Sequence, residues 1–213
     1  MKDLITELQA ASRAVDTATL PAGAAKVVTI ERTYPAEIED VWDALTDPER
    51  IPRWFLPVTG DLRLGGTYQL EGNAGGEIRV CEPPRRLQVT WIFGEPPGPE
   101  DSSIVEARLA PTPDGDTTLT LEHTAVVPPD MWDQFGPGAV GVGWDLALLG
   151  LAAHLAGVEM GPPEELERDP AMRDAMRTSS EAWGSAMAAS GADADTVARL
   201  VAATTTFYVP PDA

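Results

Sequence analysis

Hydrophobic and polar residues alternate in short runs through the middle of the chain. Tyr68 and Leu70 alternate with polar neighbours, and so do Leu119 and Leu121 further along. A period of two is typical of strands that bury one face and expose the other. Clusters of Gly, Pro, Asn and Asp separate the runs and predict turns. The pattern therefore predicts an antiparallel sheet. Its expected strands are residues 67–71, 77–80, 86–93, 105–109 and 118–122.

A strand and two short helices are predicted before this sheet. Residues 26–34 are rich in Val, Ile and Thr, which favours a strand. Residues 38–45 place apolar side chains at helical spacing and predict a first helix. Asp47 is a favourable N-cap, and Pro48 suits the first position of a helix because its missing N–H is not needed there. A second short helix is therefore expected, ending near residues 54–55.

Residues 131–157 predict the longest helix of the chain. Trp144 and Leu148 belong to an apolar stripe that is typical of a helix packed on a sheet. Several glycines weaken the first turns of this segment. We therefore expect the helix to start between residues 138 and 142 and to end at Gly157, a favourable C-terminal residue.

Both ends of the chain predict helices outside the sheet. Residues 2–15 carry an amphipathic stripe, and residues 17–25 have the composition of a linker. Residues 169–190 and 193–208 each predict a helix with one apolar face. Such helices are not stable alone, so we expect them to pack on the main domain or on a second subunit. The predicted divisions are an N-terminal helix and linker (1–25), a central domain (26–160) and a C-terminal helical extension (161–213).

The charge balance narrows the classes of partner. The 213 residues include 34 Asp and Glu against 15 Lys and Arg, which gives a net charge of −19. A surface with this excess of negative charge repels nucleic acid phosphates and anionic lipids. We therefore expect no nucleic acid partner and no membrane insertion, and we attribute the acidic surface to solubility. Apolar residues form 43% of the chain, as in globular domains.

Cysteine and histidine are scarce in this sequence. Cys81 is the only cysteine, and His123 and His154 are the only histidines. A single cysteine forms no intrachain disulfide, and these three residues are too few for a typical zinc site. The N-terminus lacks the apolar core of a signal peptide, and no run of about 18 apolar residues occurs. We expect a cytoplasmic protein with no metal ion and no cofactor.

Five segments follow one another in an informative order. They are residues 34–49 (YPAEIEDVWDALTDPE), 53–55 (RWF), 60–66 (GDLRLGG), 82–87 (EPPRRL) and 119–124 (LTLEHT). Together they resemble the SRPBCC (START-like) superfamily and, within it, the branch called activator of Hsp-90 ATPase homologue 1-like. The resemblance covers residues 26–157. The chain resembles the bacterial single-domain members of this branch, and it carries a C-terminal helical extension in addition. It implies an α+β helix-grip fold, in which a curved antiparallel sheet wraps around a long C-terminal helix.

The helix-grip fold implies an internal cavity between the sheet and the long helix. We expect this cavity to bind a small hydrophobic or aromatic molecule without catalysing a reaction. The proline-rich loop of residues 94–102 is expected to flank its mouth. For each wall residue, ordinary packing in the core is the alternative. The expected ligand-binding residues are Trp54, Phe55, Tyr68, Leu70, Val89, Trp91, Phe93, His123, Trp144 and Leu148.

A catalytic alternative depends on His123. This residue continues the inward phase of Leu119 and Leu121, so its side chain is expected to face the cavity. A histidine in that place orients a ligand carbonyl or acts as a general base. With Tyr68 assisting, the protein would be an enzyme of the cyclase or hydrolase kind. The structural alternative is a histidine that is hydrogen-bonded to a backbone carbonyl.

Three further groups are expected to take no part in chemistry. Strand phase places Glu106 on the solvent face, and Asp145 lies beside the apolar stripe of the long helix. Cys81 has the phase opposite to that of Ile78 and Val80 and no activating neighbour in sequence. A third functional alternative is a protein-interaction module, chaperone-associated or otherwise. It would act through the acidic surface or through a homodimer of the C-terminal helices.

Overall fold

The computed structural model describes residues 4–94, 102–161, 163–166 and 168–210. They form one eight-stranded sheet and a set of helices. The strands are β1 (Ser12–Leu20), β2 (Gly23–Tyr34), β3 (Val58–Gly60), β4 (Thr67–Leu70), β5 (Gly75–Glu82), β6 (Arg86–Thr90), β7 (Ser103–Pro111) and β8 (Thr117–Ala125). The helices are α1 (Leu4–Gln9), α2 (Ile38–Thr46), α3 (Pro129–Phe135), α4 (Gly138–Leu155), α5 (Pro163–Leu166), α6 (Pro170–Ala189) and α7 (Ala194–Tyr208), with a 3-10 turn at Ile51–Arg53.

The sheet topology confirms the expected helix-grip fold. The strands follow the order β1-β2-β8-β7-β6-β5-β4-β3, and every neighbouring pair is antiparallel. Strand β2, which precedes α2, therefore lies beside β8, the last strand before α3 and α4. The Tyr34 hydroxyl at the end of β2 donates a hydrogen bond to the carbonyl oxygen of Leu148 in α4 at 3.2 Å. Most of the loop expected at residues 94–102 lies outside the described residues.

The N-terminal segment differs from the expectation. Among the described residues before β2, Leu4–Gln9 is helical and Ser12–Leu20 forms the edge strand β1. The helix expected over residues 2–15 is therefore confirmed for residues 4–9 alone, and the linker expected over residues 17–25 is wrong. A tight hairpin joins β1 to β2 and ends at Gly23, whose φ of +137° favours glycine. Pairing with β2 satisfies the backbone of this segment, whereas a short isolated helix is only marginally stable.

Helix α2 ends where the sequence predicts a break. Asp47 is the C-cap of α2, and its Oδ1 accepts a hydrogen bond from the backbone N–H of Glu49 at 2.8 Å. A single 3-10 turn follows in place of the second α-helix that the sequence predicts. The carbonyl oxygen of Trp54 then approaches Gly150 of α4, where a Cβ atom would lie only 2.5 Å away. This glycine lets α4 pack directly on the backbone at Trp54.

Helix α4 is the core helix of the protein. It begins at Gly138, within the range predicted from the sequence, and its buried side chains lie all around its circumference. By length and composition alone α4 is apolar enough to cross a membrane, but 61% of it is buried inside the protein. The sheet covers one side of α4 and α6 covers another. These contacts explain its apolar composition.

The two predicted C-terminal helices are confirmed, and they pack on the rest of the chain. Asp169 and Asp193 each accept a backbone N–H bond at the start of α6 and of α7. Helix α6 contacts α1, β1 and α4, while α7 packs on α6 and α3. Trp183 of α6 lies over Gly141 of α4, where a Cβ atom would be 2.2 Å from the indole ring. The extension thus contributes to the same core as the sheet.

Candidate functional site

A cavity of about 160 Å³ lies between α4 and the five strands from β4 to β8. The end of α2, the 3-10 turn and the residues after it complete its wall. None of the side chains in this wall is charged. The lining residues are Leu45, Thr46, Ile51, Trp54, Phe55, Val58, Leu62, Tyr68, Leu70, Ile78, Cys81, Leu87, Val89, Trp91, Val105, Ala107, Leu121, Trp144, Ala147 and Leu148.

Aromatic rings form one part of the cavity wall. The Phe55 ring is nearly parallel to that of Trp54, with centroids 5.4 Å apart, and to that of Trp144, with centroids 6.3 Å apart. Trp91 packs against Trp144 at 4.9 Å and against Tyr68 at 6.3 Å. Offset and tilted ring pairs at these distances attract one another. The rings therefore hold each other in place as a continuous aromatic surface.

Polar atoms in the wall are directed at the protein backbone. The Tyr68 hydroxyl donates to the carbonyl oxygen of Thr90 at 2.7 Å, and the Trp54 indole N–H donates to that of Ala44 at 2.9 Å. The Thr46 hydroxyl donates to a backbone carbonyl one turn earlier in α2, at 2.8 Å. Burial raises the pKa of Tyr68, so its phenol stays protonated. Their donor hydrogens are therefore already used, and the two hydroxyls can offer a ligand acceptor lone pairs alone.

His123 lies behind the aromatic wall and is not part of the cavity surface. Its Nδ1 accepts a hydrogen bond from the Trp144 indole N–H at 3.1 Å, and its Nε2 lies 2.8 Å from Oγ of Ser103. Burial lowers the pKa of His123 to about 4, so the ring is neutral near pH 7. Because both ring nitrogens are engaged, neither is placed to take a proton from a molecule in the cavity.

The structure brings most of the expected ligand-binding residues into the wall. Those that line the cavity are Trp54, Phe55, Tyr68, Leu70, Val89, Trp91, Trp144 and Leu148. Of the other two, His123 lies behind Trp144, and Phe93 is 73% exposed. The expectation that Phe93 faces the cavity is wrong, because β6 ends at Thr90 and its alternation does not extend to residue 93. Ligand contact by the lining residues stays a prediction.

Cys81 lines the cavity although strand alternation predicts the opposite. Strand β5 carries a register shift against β6 between Ile78 and Val80, which is a β-bulge. The extra residue reverses the phase, so Ile78 and Cys81 both face the cavity and Val80 does not line it. The alternation in the sequence gives no sign of this bulge. Leu62 and Val58 were also missed, since they lie in short segments without a periodic pattern.

Glu106 is on the outer face of the sheet, but the expectation that it is solvated is wrong. Its exposed fraction is 6%. Arg86 and Gln88 of β6 donate hydrogen bonds to its carboxylate at 2.8 and 2.6 Å, and Arg108 forms an ion pair with it. Burial alone would raise the pKa of Glu106, but these hydrogen bonds and the charge of Arg108 outweigh it and hold the pKa below its usual value. Neighbouring side chains thus cover Glu106, and the positive charges of Arg86 and Arg108 balance the charge of its carboxylate.

Asp145 belongs to a buried polar cluster that faces α6. Arg13 of β1 donates to its carboxylate at 2.8 Å, and the Trp183 indole N–H donates at 3.0 Å. The Ser179 hydroxyl is a further donor. Burial raises the pKa of Asp145, while Arg13 and the hydrogen bonds oppose that rise. The cluster joins β1, α4 and α6, and it does not line the cavity.

The remaining histidine and the acidic groups do not assemble a metal site in the described part of the chain. No three His, Cys, Asp or Glu side chains lie together there as ligands of a metal ion would. His154, in the last turn of α4, accepts a hydrogen bond at Nε2 from Nε of Arg50 at 3.3 Å. This contact joins α4 to the segment after α2 and leaves His154 away from the cavity wall.

Comparisons with known proteins give this fold and cavity a family. The model of the family "Activator of Hsp90 ATPase homolog 1-like protein" matches residues 35–156. The crystal structure of CalU16 from Micromonospora echinospora is similar at 38% identity and a TM-score of 0.67, with 86% of this chain and 100% of that chain covered. DynU16, from the dynemicin biosynthetic locus, is 25% identical with a TM-score of 0.53, over 61% of this chain and 47% of that chain.

A more distant likeness and a negative finding complete the comparison. The Hsp90 activator PFC0360w from Plasmodium falciparum is 22% identical with a TM-score of 0.51, over 62% of this chain and 96% of that chain, which shows a shared fold alone. A search of curated proteins finds no match. The family match spans more than half of the chain, and the helix-grip fold agrees with it. This chain therefore belongs to the activator of Hsp90 ATPase homolog 1-like family.

Proposed function

We propose that this chain binds one small apolar or aromatic molecule in the cavity between α4 and the sheet. The observation that carries the proposal is the chemistry of the wall, which contains no charged side chain. The hydroxyl and indole groups of Tyr68, Thr46 and Trp54 are already hydrogen-bonded to the backbone. Binding is therefore driven by burial of apolar surface, and selectivity comes from volume and shape.

The size of the cavity limits the part of the ligand that it encloses. Its volume is about 160 Å³. An apolar cavity of roughly 150 Å³ in another protein stays dry and holds benzene. The enclosed part of the ligand is therefore about one aromatic ring with short substituents.

The proposal is binding without catalysis. His123 and Tyr68, on which the cyclase or hydrolase alternative depends, direct their polar atoms to Trp144, Ser103 and Thr90.

Among the relatives, DynU16 comes from a biosynthetic locus. That context supports a ligand that is a product or an intermediate of biosynthesis.

Probe molecules of known polarity test this function. We expect toluene and benzene to bind the wild-type protein and to change the fluorescence of the cavity tryptophans Trp54, Trp91 and Trp144. Benzoate should bind at least about tenfold more weakly than toluene, because no group in the wall compensates the desolvation of its carboxylate. Isothermal titration calorimetry measures each dissociation constant. Equal affinity for benzoate and toluene, or no binding of either hydrocarbon, would contradict the proposal.

A filled cavity supplies the matched variant. Ala147 lines the cavity on α4, so Ala147→Leu places added carbon atoms in the space that the ligand occupies. We expect this variant to fold and to lose toluene binding. Ala188 lies on the exposed face of α6, and Ala188→Leu makes the same chemical change away from the cavity. Ala188→Leu should bind toluene like the wild type, and loss of binding in both variants would indicate a general effect on the fold.

A further inference from the structure

The Trp144 indole has a fixed hydrogen-bond partner on the side of the sheet. Trp144 lines the cavity, whereas His123 does not. The indole N–H donates to Nδ1 of His123 at 3.1 Å, and the two rings meet edge to face at an interplanar angle of 88°. Because an indole N–H only donates, Nδ1 must accept, and the proton of the neutral imidazole is on Nε2. Nε2 then donates to Oγ of Ser103, 2.8 Å away.

This chain of hydrogen bonds links a cavity wall to a strand. His123 lies on β8 and Ser103 at the start of β7, and these strands are paired in the sheet. The imidazole is buried and lies among the rings of Trp91 and Trp144. Burial favours its neutral form, the form in which Nδ1 accepts. If His123 could not accept, the buried indole N–H would lack a partner, and the side chain would rotate to find one.

Rotation of Trp144 would change the shape of the cavity. Its indole packs on Trp91, with centroids 4.9 Å apart, and lies nearly parallel to Phe55 at 6.3 Å. All three rings line the same space. A flat molecule gains contact when it stacks on rings held in this arrangement, whereas a puckered molecule of the same size gains much less. The orientation of one indole therefore bears on which shapes the cavity accepts.

We propose that His123 is a positioning residue: by accepting the Trp144 indole N–H, it fixes the aromatic wall and gives the cavity a preference for flat aromatic molecules over puckered ones. This inference rests on the proposed binding function and deepens it. His123 acts through Trp144 and makes no contact with the ligand itself. The pair joins α4 to the sheet at the cavity, so the same bond that packs the core sets the selectivity of the site.

The test compares two probes of similar size, flat toluene and puckered methylcyclohexane. His123→Phe keeps a ring but removes the acceptor, and His123→Asn keeps an acceptor oxygen near the place of Nδ1. We expect the toluene preference, expressed as the ratio of the two dissociation constants, to fall about tenfold in His123→Phe and to be largely restored in His123→Asn. A role in stability alone would lower the melting temperature of both variants and leave this ratio unchanged, which would overturn the inference.

Near-UV circular dichroism separates the two proposals. The difference spectrum between the wild type and Trp144→Phe identifies the Trp144 signal, which should be altered in His123→Phe and retained in His123→Asn. If the wild type binds neither probe, the binding function fails, and this signal still decides whether His123 positions Trp144. Should His123→Phe not fold, Ser103→Ala releases the other side of the imidazole and is expected to lower the toluene preference in the same direction. An unchanged preference and an unchanged signal in that variant would overturn the inference.

Discussion

His123 and Glu106 lie on opposite faces of the sheet, and their neighbours determine their charge. His123 is surrounded by aromatic rings and neutral hydrogen-bond partners, so burial favours its neutral form. Glu106 is covered by Arg86, Gln88 and Arg108, so it stays ionised in spite of burial. Strand phase in the sequence predicts the face of each residue. It does not predict the partners on other elements, because Arg86 and Gln88 of β6, Ser103 of β7 and Trp144 of α4 lie 18 to 21 residues away along the chain.

The neutral state of His123 makes the stability of the protein depend on pH. Its pKa is about 4 in the folded protein and 6.5 in the unfolded chain, so between these values the unfolded chain binds more protons. The contribution of His123 to stability is fully present above pH 6.5 and is lost as the pH falls from 6.5 towards 4. The free energy of unfolding should fall by about 3 kcal/mol through this effect. Urea denaturation at a series of pH values measures it.

His123→Asn provides the control for this pH dependence, because asparagine does not titrate. Carboxylates and His154 titrate in both proteins, so their contributions cancel in the difference between wild type and variant. We expect that difference to be constant above pH 6.5 and to shift against the wild type below it. A difference that stays flat from pH 7 to pH 4 would show that the folded His123 titrates normally.

Among the elements, those with local signals are the ones that the sequence predicts well. Helices α6 and α7 begin directly after Asp169 and Asp193, whose side chains cap them, and α4 is marked by its long run of mostly apolar residues. Strand β1 was missed because residues 12–15 continue the helical stripe of residues 2–15 and residues 17–20 fall in a segment with the composition of a linker. Only the pairing with β2 makes this segment a strand. The bulge in β5 was missed for a similar reason. One added residue changes the side of the strand on which Cys81 lies, and the pattern of apolar and polar residues in the sequence does not mark its position.

Two glycines of α4 give opposite expectations for the same substitution. A Cβ at Gly150 would lie 2.5 Å from the carbonyl oxygen of Trp54, so Gly150→Ala forces α4 away from the segment that walls the cavity. We expect a loss of about 1–3 kcal/mol in the free energy of unfolding. At Gly143 the nearest atom would be the Tyr208 hydroxyl at 3.5 Å, an ordinary contact. Gly143→Ala should raise stability by up to about 1 kcal/mol, because alanine favours the helix.

Chemical denaturation of both variants measures these changes, and toluene affinity adds a second reading. Gly150→Ala should also weaken toluene binding, since Trp54 lines the cavity. Gly143→Ala should leave toluene binding as in the wild type. If Gly150→Ala is as stable as Gly143→Ala, the close approach of α4 to Trp54 does not hold in solution.

At the scale of the whole molecule, α4 separates two different interiors. Trp144 and Leu148 face the apolar cavity, while Asp145 binds Arg13 and Trp183 in a polar cluster next to α6. The predicted extension at residues 161–213 therefore supports the helix that forms the cavity wall. The sequence indicates an apolar face on each C-terminal helix. The sequence does not show which part of the protein packs on these apolar faces. That packing depends on the Arg13–Asp145 ion pair and on the fit of Trp183 over Gly141.

This arrangement predicts that the sheet and the C-terminal helices unfold as one cooperative unit. Near-UV circular dichroism reports the packed aromatic rings, and far-UV circular dichroism reports the helices, so the two urea transitions should coincide. Asp145→Leu leaves Arg13 buried without its carboxylate and removes the acceptor of the Trp183 indole N–H. It should lower the free energy of unfolding by about 3–5 kcal/mol and move both transitions together. A helix signal that is lost in two separate steps would show that the extension is a separate unit, because α4 would then hold the cavity wall without support from α6.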